Sequence, residues 1–335
     1  MAFSCVLVTG ATGFIGAHVV DNLLSRGIKV RAAARSRSKA EIMIETRPFA
    51  KSILEFVYID DIAEPNVFDQ AMEGVDAVIH LASPLNYSVA DKERELIIPA
   101  INGVRSILQA AAKNNIKRFV MTSSFGAVLD MDREKNTPWK YTAEDWNPIS
   151  YAEAADPSAS PQDAYRGSKK FAEQEAWKFM AQEKPAFELV TLCPSMVFGP
   201  TAHPVTSVDT LNESNALLWR VASGVEPLPP ARFNFWIDVR DLAEVHVQAL
   251  LNPNAGGKRY LPVSSQKFSY QLASEIMRDN FPAEKDRISS GVQEINENVD
   301  VDTAPVTKDL NIEYRDFKET IVDFLTQAYL LETAK

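Results

Sequence analysis

Cysteine is scarce in this sequence of 335 residues, which contains only Cys5 and Cys193. Both lie in apolar runs that are typical of buried strands, so a disulfide framework is excluded and a reducing compartment is favoured. The first residues lead directly into a strand, without the basic stretch and apolar core of a secretory signal. No apolar run approaches the roughly 18 residues of a membrane-spanning helix. The sequence therefore predicts a cytoplasmic protein with no membrane partner.

Histidine is also rare, and basic residues are fewer than acidic residues. The four histidines are His18, His80, His203 and His246, and they are too scattered for the spacing of metal ligands, so we predict no metal site. Acidic residues outnumber basic residues by 45 to 35, which gives a formal net charge of −10. This charge opposes the binding of a polyanion, and we predict no nucleic-acid partner.

The composition that remains is that of an ordinary globular protein, with 46% hydrophobic and 24% charged residues. In the first half of the chain, short apolar runs alternate with amphipathic helical segments. Apolar strands joined by helical crossovers indicate a parallel sheet covered on both faces, so we predict a doubly wound α/β fold of the Rossmann type. The predicted strands span residues 6–9, 30–34, 54–59, 77–82, 119–123 and 189–193. The predicted helices of this half span residues 15–25, 93–113 and 164–180.

After residue 193 the pattern becomes irregular, and loops rich in proline and small polar residues separate weaker helices. These helices are predicted at residues 215–223, 239–251, 270–279 and 317–329. We predict one unit over 1–193 and a second over 194–335, with part of 235–265 returning to the first because residues 257–263 resemble a strand. Residues 131–159 form a long polar insertion without periodicity, and such insertions often act as lids.

A glycine-rich turn follows the first predicted strand and precedes the first predicted helix. Residues 10–16 read Gly-Ala-Thr-Gly-Phe-Ile-Gly. Glycine permits a tight turn, and the helix N-terminus offers N–H groups and a positive dipole to a pyrophosphate. We therefore interpret residues 1–193 as a dinucleotide-binding domain and residues 194–335 as mainly a substrate-binding lobe. The candidate contacts at the turn are Gly10, Thr12, Gly13, Phe14, Ile15 and Gly16.

The end of the second strand favours NADP over NAD. An NAD site usually places an acidic side chain there, against the ribose 2′-hydroxyl. Residues 29–39 carry five cations and no acid. Arg35 is the best candidate for a 2′-phosphate because it closes the strand and its planar group can donate two hydrogen bonds, and Lys39 lies nearby. Asp61, past the third strand, either accepts a hydrogen bond from the adenine or caps a helix.

Tyr165 and Lys169 are four residues apart at the start of a predicted helix, so they share one face. A cation about 4 Å from a phenol, in an effective dielectric constant of about 20, contributes on the order of 4 kcal/mol. We expect this interaction to lower the pKa of Tyr165, which would protonate a carbonyl oxygen while Lys169 tunes it and binds a ribose. The fifth strand ends at Ser123 and Ser124, and either hydroxyl could donate to the substrate.

These motifs resemble the extended short-chain dehydrogenase/reductase family, and within it the branch of dihydroflavonol reductases and fungal aldehyde and ketone reductases. The similarity covers nearly the whole chain, in the segments VTGATGFIG, HLASP at 80–84, IPAINGV at 98–104, TSSFGAV at 122–128, AYRGSKKFAEQEAW at 164–177 and WIDVRDLAE at 236–244. The resemblance implies a catalytic set of Ser124, Tyr165 and Lys169, the last two also touching the cofactor NADPH. It implies further cofactor contacts at Ile62, Ala82, Ser83, Pro84, Thr122, Pro194 and Val197.

The resemblance also implies which residues line the substrate pocket. Besides Ser124, they are Leu85, Phe125, Met196, Phe235 and Trp236. These side chains are mostly apolar, as suits a small hydrophobic carbonyl compound. Residues 186–335 carry 13 basic and 21 acidic side chains, which makes this lobe a poor host for a nucleotide sugar or an acyl-CoA.

We therefore expect hydride transfer from NADPH to a small aldehyde or ketone, such as methylglyoxal, 3-methylbutanal or a keto ester. One alternative is a nucleotide-sugar epimerase or dehydratase, which uses the same tyrosine and lysine. Another is a protein that senses NADP without catalysis. The sequence does not fix the oligomeric state, for which a homodimer is one option.

Overall fold

A sheet of seven parallel strands forms the centre of the computed structural model, which describes residues 1–84, 89–131, 133 and 137–333. The strands of the protein are β1 (Cys5–Thr9), β2 (Lys29–Ala34), β3 (Leu54–Tyr58), β4 (Ala77–His80), β5 (Arg118–Thr122), β6 (Trp139–Tyr141), β7 (Glu188–Leu192), β8 (Met196–Phe198), β9 (Trp236–Asp238), β10 (Arg259–Tyr260) and β11 (Val299–Val301). The order in the main sheet is β10-β7-β5-β4-β1-β2-β3. This arrangement confirms the predicted doubly wound α/β fold.

Helices cover both faces of this sheet. They are α1 (Phe14–Ser25), α2 (Arg37–Glu45), α3 (Ile98–Ala112), α4 (Tyr151–Ala155), α5 (Pro161–Glu183), α6 (Glu213–Ala222), α7 (Val239–Leu251), α8 (Tyr270–Asn280), α9 (Ala304–Leu310) and α10 (Phe317–Thr333). Helices α1 and α7 pack against each other on one face, and α3 and α5 pack on the other. Within the described ranges, no helix has both the length and the apolar character that crossing a bilayer requires.

Strand β1 shows why the strands of this sheet have continuous apolar sequences. Val6 and Val8 are buried in the core that contains α1 and α7. Leu7, which points to the opposite face, is buried in the core that contains α3 and α5. Because both faces of a parallel sheet are covered by helices, every position of the strand is apolar or otherwise satisfied.

The second half of the chain contributes a strand to the main sheet and helices to the layers around it. β10 pairs with β7 at the edge of the main sheet. α7 covers β1 together with α1, whereas α6, α8 and α10 form a separate core. The division into units 1–193 and 194–335 stays a prediction.

Several short elements depart from the sequence expectations. α2 was not expected because only Ala40 and Met43 are buried along it, which leaves a weak periodic signal. The insertion at residues 131–159 contains secondary structure: β6 pairs with β11, and α4 begins with a capping box formed by Ser150 and Glu153. The sequence of the insertion shows no periodicity because its elements are short, and a strand of three residues cannot show an alternating pattern.

The glycine turn between β1 and α1 depends on the absence of side chains. Gly10 has a φ of +68°, a conformation that residues with a Cβ rarely adopt. A Cβ at position 16 would lie 2.1 Å from the carbonyl oxygen of Gly10. The start of α1 is therefore packed directly against the turn, and no side chain larger than hydrogen fits between them.

We expect Gly16→Ala to reduce the free energy of unfolding by about 1–3 kcal/mol, because the new methyl group overlaps a backbone atom. Equilibrium unfolding in denaturant measures this change. Gly103→Ala in α3 is the matched control, because its Cβ would meet the end of the Ile62 side chain at 3.0 Å, and that group can rotate away. Equal stabilities of the two variants would contradict the packing described for the turn.

Candidate active site

The topology brings the predicted site residues to one edge of the sheet. Strands β1, β4, β5 and β7 are parallel, so their carboxyl ends lie at the same edge. β2 and β3 extend the sheet on one side of β1, whereas β4 pairs with β1 on its other side. Open α/β sheets bind ligands in the crevice at such a reversal of strand order. The glycine turn, residues 81–84 and the two serines after β5 all follow these strand ends.

Hydrogen bonds hold the segment after β4 against the glycine turn. The hydroxyl of Thr9 accepts the N–H groups of Leu81 and Ala82, each at 3.1 Å. A Cβ at Gly10 would lie 3.0 Å from the nitrogen of Ala82, so the two segments touch. Among the residues that the structure describes, no side chain caps α1 at Gly13, which leaves the first N–H groups of the helix for an anion. The predicted contacts that follow in this segment are Ser83 and Pro84.

Two of the five basic side chains in residues 29–39 form ion pairs with the same carboxylate. Lys29 and Arg31 form ion pairs with Glu55, with N–O distances of 2.9 and 2.6 Å. Both lie in β2, and Glu55 lies in the neighbouring β3. These two cations therefore stabilise the pairing of the strands, and neither is the best candidate for a phosphate.

The three remaining cations lie at the end of β2 and in α2. The guanidinium of Arg37 stacks over the ring of Tyr58, 4.0 Å from its centre. Arg35 and Lys39 are exposed, and neither side chain forms an ion pair with any residue that the structure describes. The geometry thus leaves available the same two cations that the sequence selected for a 2′-phosphate.

The segment after β3 has a local role as well. The carboxylate of Asp61 accepts the N–H of Ala63 at 2.8 Å and forms a local turn, but no helix begins there, so the alternative that Asp61 caps a helix is not met. Ile62 is partly buried and contacts α3 near Gly103. A contact of Asp61 or Ile62 with an adenine stays a prediction.

The phenol of Tyr165 faces the end of β5. Its hydroxyl donates to the Ser124 hydroxyl oxygen at 3.4 Å, and this oxygen also accepts the N–H of Gly126 at 3.0 Å. The hydroxyl of Ser123 points elsewhere and donates to Glu173 at 2.7 Å. Of the two serines between which the sequence did not decide, the structure brings Ser124 to Tyr165.

Lys169 lies one helical turn after Tyr165 in α5 and is buried, with 7% of its surface exposed. Its ammonium group donates to the carbonyl oxygen of Thr122, the last residue of β5, at 3.4 Å. Burial lowers the pKa of Lys169 to about 8, against the opposing effects of Cys193 and Glu173. The ammonium form therefore predominates at neutral pH.

The predicted effect of Lys169 on the phenol is wrong for this structure. Burial raises the pKa of Tyr165 above its ordinary value of 10, the hydrogen bond with Ser124 lowers it, and the charge of Glu213 raises it further. Ionising this partly buried phenol carries a desolvation cost that the spacing of Tyr165 and Lys169 in the sequence does not reveal. At neutral pH Tyr165 is therefore a neutral phenol, which is the form that can donate a proton.

The predicted pocket residues lie in two different apolar cores, one that contains Phe125 and Phe235 and one that contains Trp236. The ring of Phe125 is fully buried against Tyr141, Phe233 and Phe235, with ring centres 5.4 to 6.0 Å apart. Because Phe125 has no exposed surface, the expectation that it lines the pocket is not met, and it instead supports the turn that follows Ser124.

Trp236 belongs to a different core, where its ring packs on Phe317 and its indole N–H donates to Gln266. The expectation that Trp236 lines the pocket is not met, because its side chain is fully buried in this core. Met196 is partly buried beside the same core. Leu85 lies outside the residues that the structure describes.

The segment after β7 also reaches the crevice. The carbonyl oxygen of Pro194 accepts the N–H of Phe125 at 2.8 Å, which joins this segment to the turn after Ser124. Val197 packs in a small apolar core with Phe14 of the glycine-rich segment. Both predicted cofactor contacts therefore border the crevice.

Sequence reasoning missed two hydroxyl–histidine pairs at the strand ends. Thr9 lies 2.8 Å from Nδ1 of His80, and Thr122 lies 2.6 Å from Nε2 of His246. Nδ1 of His246 is 2.7 Å from the carbonyl oxygen of Leu242, so it carries the proton and Nε2 accepts from Thr122. Burial lowers the pKa of His80 to about 3 and that of His246 to about 4, so both rings are neutral. A buried histidine in an apolar run is the only sequence signal for either pair.

Comparisons with known proteins agree with this geometry. The model of the NAD dependent epimerase/dehydratase family matches residues 6–261. The NADPH-dependent methylglyoxal reductase of Saccharomyces cerevisiae is 34% identical, and the match covers 98% of each chain. A ketoreductase of Aspergillus niger is 32% identical, also over 98% of each chain. The solved structure of yeast methylglyoxal/isovaleraldehyde reductase complexed with NADPH superposes with a TM-score of 0.90 at 33% identity, over 99% of this chain and 100% of that chain.

We expect Lys169→Met to raise the free energy of unfolding near neutral pH. The folded-state pKa of about 8 lies below the ordinary value of 10.5, so the buried charge destabilises the fold below pH 8. The expected gain is at most about 3 kcal/mol, reduced by the lost bond to Thr122, and it shrinks as the pH rises from the folded to the unfolded pKa.

Urea unfolding of both proteins at about pH 7 and about pH 10 measures this difference. Lys178→Met on the exposed side of α5 is the control, and we expect it to change stability by less than about 0.5 kcal/mol. A gain from Lys169→Met that is the same at both pH values would show that the charge is not responsible.

Proposed function

The chain belongs to the NAD dependent epimerase/dehydratase family of extended short-chain dehydrogenases/reductases, and we propose that it is an NADPH-dependent carbonyl reductase. The family resemblance inferred from the motifs is confirmed. The observation that carries the proposal is the contact between the Tyr165 phenol and Ser124, with the Lys169 ammonium one turn away, beside the glycine turn. A protein that only senses NADP would need the turn and not this proton-transfer set.

The residues of the crevice fit NADPH. The glycine turn packs closely against the start of α1, and among the described residues no side chain caps this helix, so its first N–H groups would be available to a pyrophosphate. Arg35 and Lys39 would hold the 2′-phosphate, and Lys169 would hold the nicotinamide ribose. Bound NADPH would supply the hydride that reduces the substrate carbonyl carbon.

The chain's own groups supply the proton and orient the carbonyl. Ser124 and Tyr165 would both donate hydrogen bonds to the carbonyl oxygen, which develops negative charge as the carbon is reduced. Tyr165 then transfers its proton to this oxygen, which completes the alcohol. The hydrogen bond with Ser124, which lowers the pKa of Tyr165, stabilises the phenolate that remains until a proton from solvent restores the phenol.

The substrate class is a small, neutral, mostly apolar aldehyde or ketone. Phe233, whose ring packs on Phe125 of the turn after Ser124, is partly exposed, and the charge of Glu213 acts on the Tyr165 phenol. An anionic group on the substrate would be repelled by this carboxylate. The relatives named above are reductases of methylglyoxal and isovaleraldehyde and a ketoreductase, which supports the same class.

The epimerase or dehydratase alternative is less well supported. Those reactions need room and counter-charges for a nucleotide-sugar diphosphate, and residues 186–335 have eight more acidic than basic side chains. We also propose a cytoplasmic location, which suits the two free, buried thiols of Cys5 and Cys193. The homodimer stays a prediction.

Tyr165→Phe tests the function directly. We expect the wild-type protein to consume NADPH when methylglyoxal, 3-methylbutanal or a keto ester is added, and the variant to lose about 10²–10⁴-fold in kcat because the proton donor is absent. Absorbance of NADPH follows the reaction, and nucleotide fluorescence shows that the variant still binds it. Tyr151→Phe is the matched control, because this exposed phenol bonds only to Glu93 among the contacts described for it and to Phe171 through its ring. No consumption by the wild type across these carbonyls would overturn the proposal.

Arg35→Ala tests the choice of cofactor. Loss of a charged hydrogen bond to the 2′-phosphate should raise KM for NADPH by about 10–100-fold and leave KM for NADH nearly unchanged. Steady-state kinetics with each nucleotide measure both values. Lys29→Ala is the control, because Glu55 already engages that ammonium. An equal rise of KM for both nucleotides in Arg35→Ala would contradict recognition of the phosphate by this residue.

A further inference from the structure

A buried ion pair lies behind the proton-transfer site. Glu173 follows Lys169 by one helical turn in α5, and its side chain is fully buried. Arg259 in β10 donates to it through Nε at 2.8 Å and Nη2 at 3.2 Å. Charges without solvent are stable only when they are paired and hydrogen-bonded, and this two-point contact meets that condition.

Further donors surround the Glu173 carboxylate. It accepts the hydroxyl of Ser123 at 2.7 Å, the thiol of Cys193 at 3.3 Å and the indole N–H of Trp177 at 3.4 Å. Burial acts to raise the pKa of Glu173, but Arg259 and these hydrogen bonds outweigh it, so the net shift is downward. Glu173 is therefore an anion that joins α5 to the ends of β5 and β7.

The guanidinium of Arg259 connects the pair to the polar insertion. It donates to the carbonyl oxygens of Ala143 and Asp145 and stacks over the ring of Trp146 at 3.8 Å. Through these contacts, the strand at the edge of the sheet fixes residues 143–146.

The next residue of the insertion holds the turn that carries Ser124. The side chain of Asn147 donates to the carbonyl oxygen of Gly126 at 2.9 Å, and its backbone N–H donates to Ala127 at 2.8 Å. A continuous set of contacts therefore runs from Glu173 through Arg259 and the insertion to the residues after Ser124.

We propose that the Glu173–Arg259 pair is a positioning device for the proton-transfer site. Arg259 holds the Ser124 turn through the insertion, and Glu173 supplies the negative charge that balances the Lys169 ammonium. This role rests on the proposed reductase function, because it concerns the protonation and placement of the groups that protonate the carbonyl.

The groups around Lys169 leave Glu173 as its charge partner. Tyr165 lies on the same helix, Cys193 follows β7, and His80 ends β4. Burial raises the pKa of both Tyr165 and Cys193 and lowers that of His80, so all three are uncharged near neutral pH. Among the described groups that act on Lys169, Glu173 is thus the ionised acid, and removing its charge should favour neutral Lys169.

The first experiment is the pH dependence of kcat/KM in Glu173→Gln. The amide keeps the shape of the side chain and removes the charge, so we expect the fall in activity at alkaline pH to begin at least about half a pH unit lower than in the wild type. Glu175→Gln, which removes a charge from the same helix facing Arg105, is the control and should leave the profile in place. A lower kcat with an unmoved profile would overturn the proposal and leave Glu173 a purely structural role.

Glu173→Gln leaves Arg259 buried without its partner, which can prevent folding. The double variant Glu173→Gln with Arg259→Met removes both charges and avoids that unpaired cation. We expect a smaller shift of the alkaline limb in the same direction in the double variant, because the cation removed with Arg259 opposes the charge of Glu173, together with a lower kcat and an unchanged Kd for NADPH. A double variant with the wild-type profile would contradict the proposal.

A second readout does not depend on activity. Lys169→Met is introduced into the wild type and into the double variant, and urea unfolding near neutral pH gives the change in stability in each background. We expect a larger stabilisation in the background that lacks Glu173, because the ammonium is unbalanced there. Equal stabilisation in both backgrounds would overturn the charge-balancing role. If the wild type consumed no NADPH, the proposed function would fail, whereas this cycle would still report the coupling.

Discussion

The contact of the buried Lys169 ammonium with the end of β5 is the constraint on which the site depends. A cation in this position loses most of its hydration and is tolerated because the Thr122 carbonyl accepts a hydrogen bond from it and Glu173 lies one turn away. The fold supplies both groups, since α5 crosses the sheet where β5 ends. The same crossing places Tyr165 at Ser124. The position of α5 therefore places the Tyr165 phenol at Ser124 and the Lys169 ammonium at the Thr122 carbonyl.

Two neutral threonine–histidine pairs stabilise the strand ends beside this site. Thr122 donates to the neutral ring of His246 in α7, and Thr9 contacts the neutral ring of His80. Both threonines are the last residues of their strands. These contacts fix the carboxyl ends of β1 and β5 at the edge of the sheet where the site residues lie. A rigid crevice positions reacting groups at little entropic cost during the reaction.

Much of this architecture follows from local patterns in the sequence. The apolar strands, the glycine turn and the spacing of Tyr165 and Lys169 each depend on residues close in sequence, and the structure places them as expected. The choice between Ser123 and Ser124, the pairing of Glu173 with Arg259 and the burial of Trp236 depend on residues far apart in the chain. The direction of the Tyr165 shift was mispredicted for the same reason, because burial is a property of the whole fold.

The central claim is that Tyr165 acts as a neutral phenol held at Ser124, one helical turn before the buried Lys169. Ultraviolet difference spectra between the wild type and Tyr165→Phe, recorded as a function of pH, isolate the ionisation of this one side chain. The account predicts that the phenolate signal appears only above about pH 10, the ordinary value for tyrosine. A phenolate signal near neutral pH would contradict it and restore the view that Lys169 makes the phenol strongly acidic.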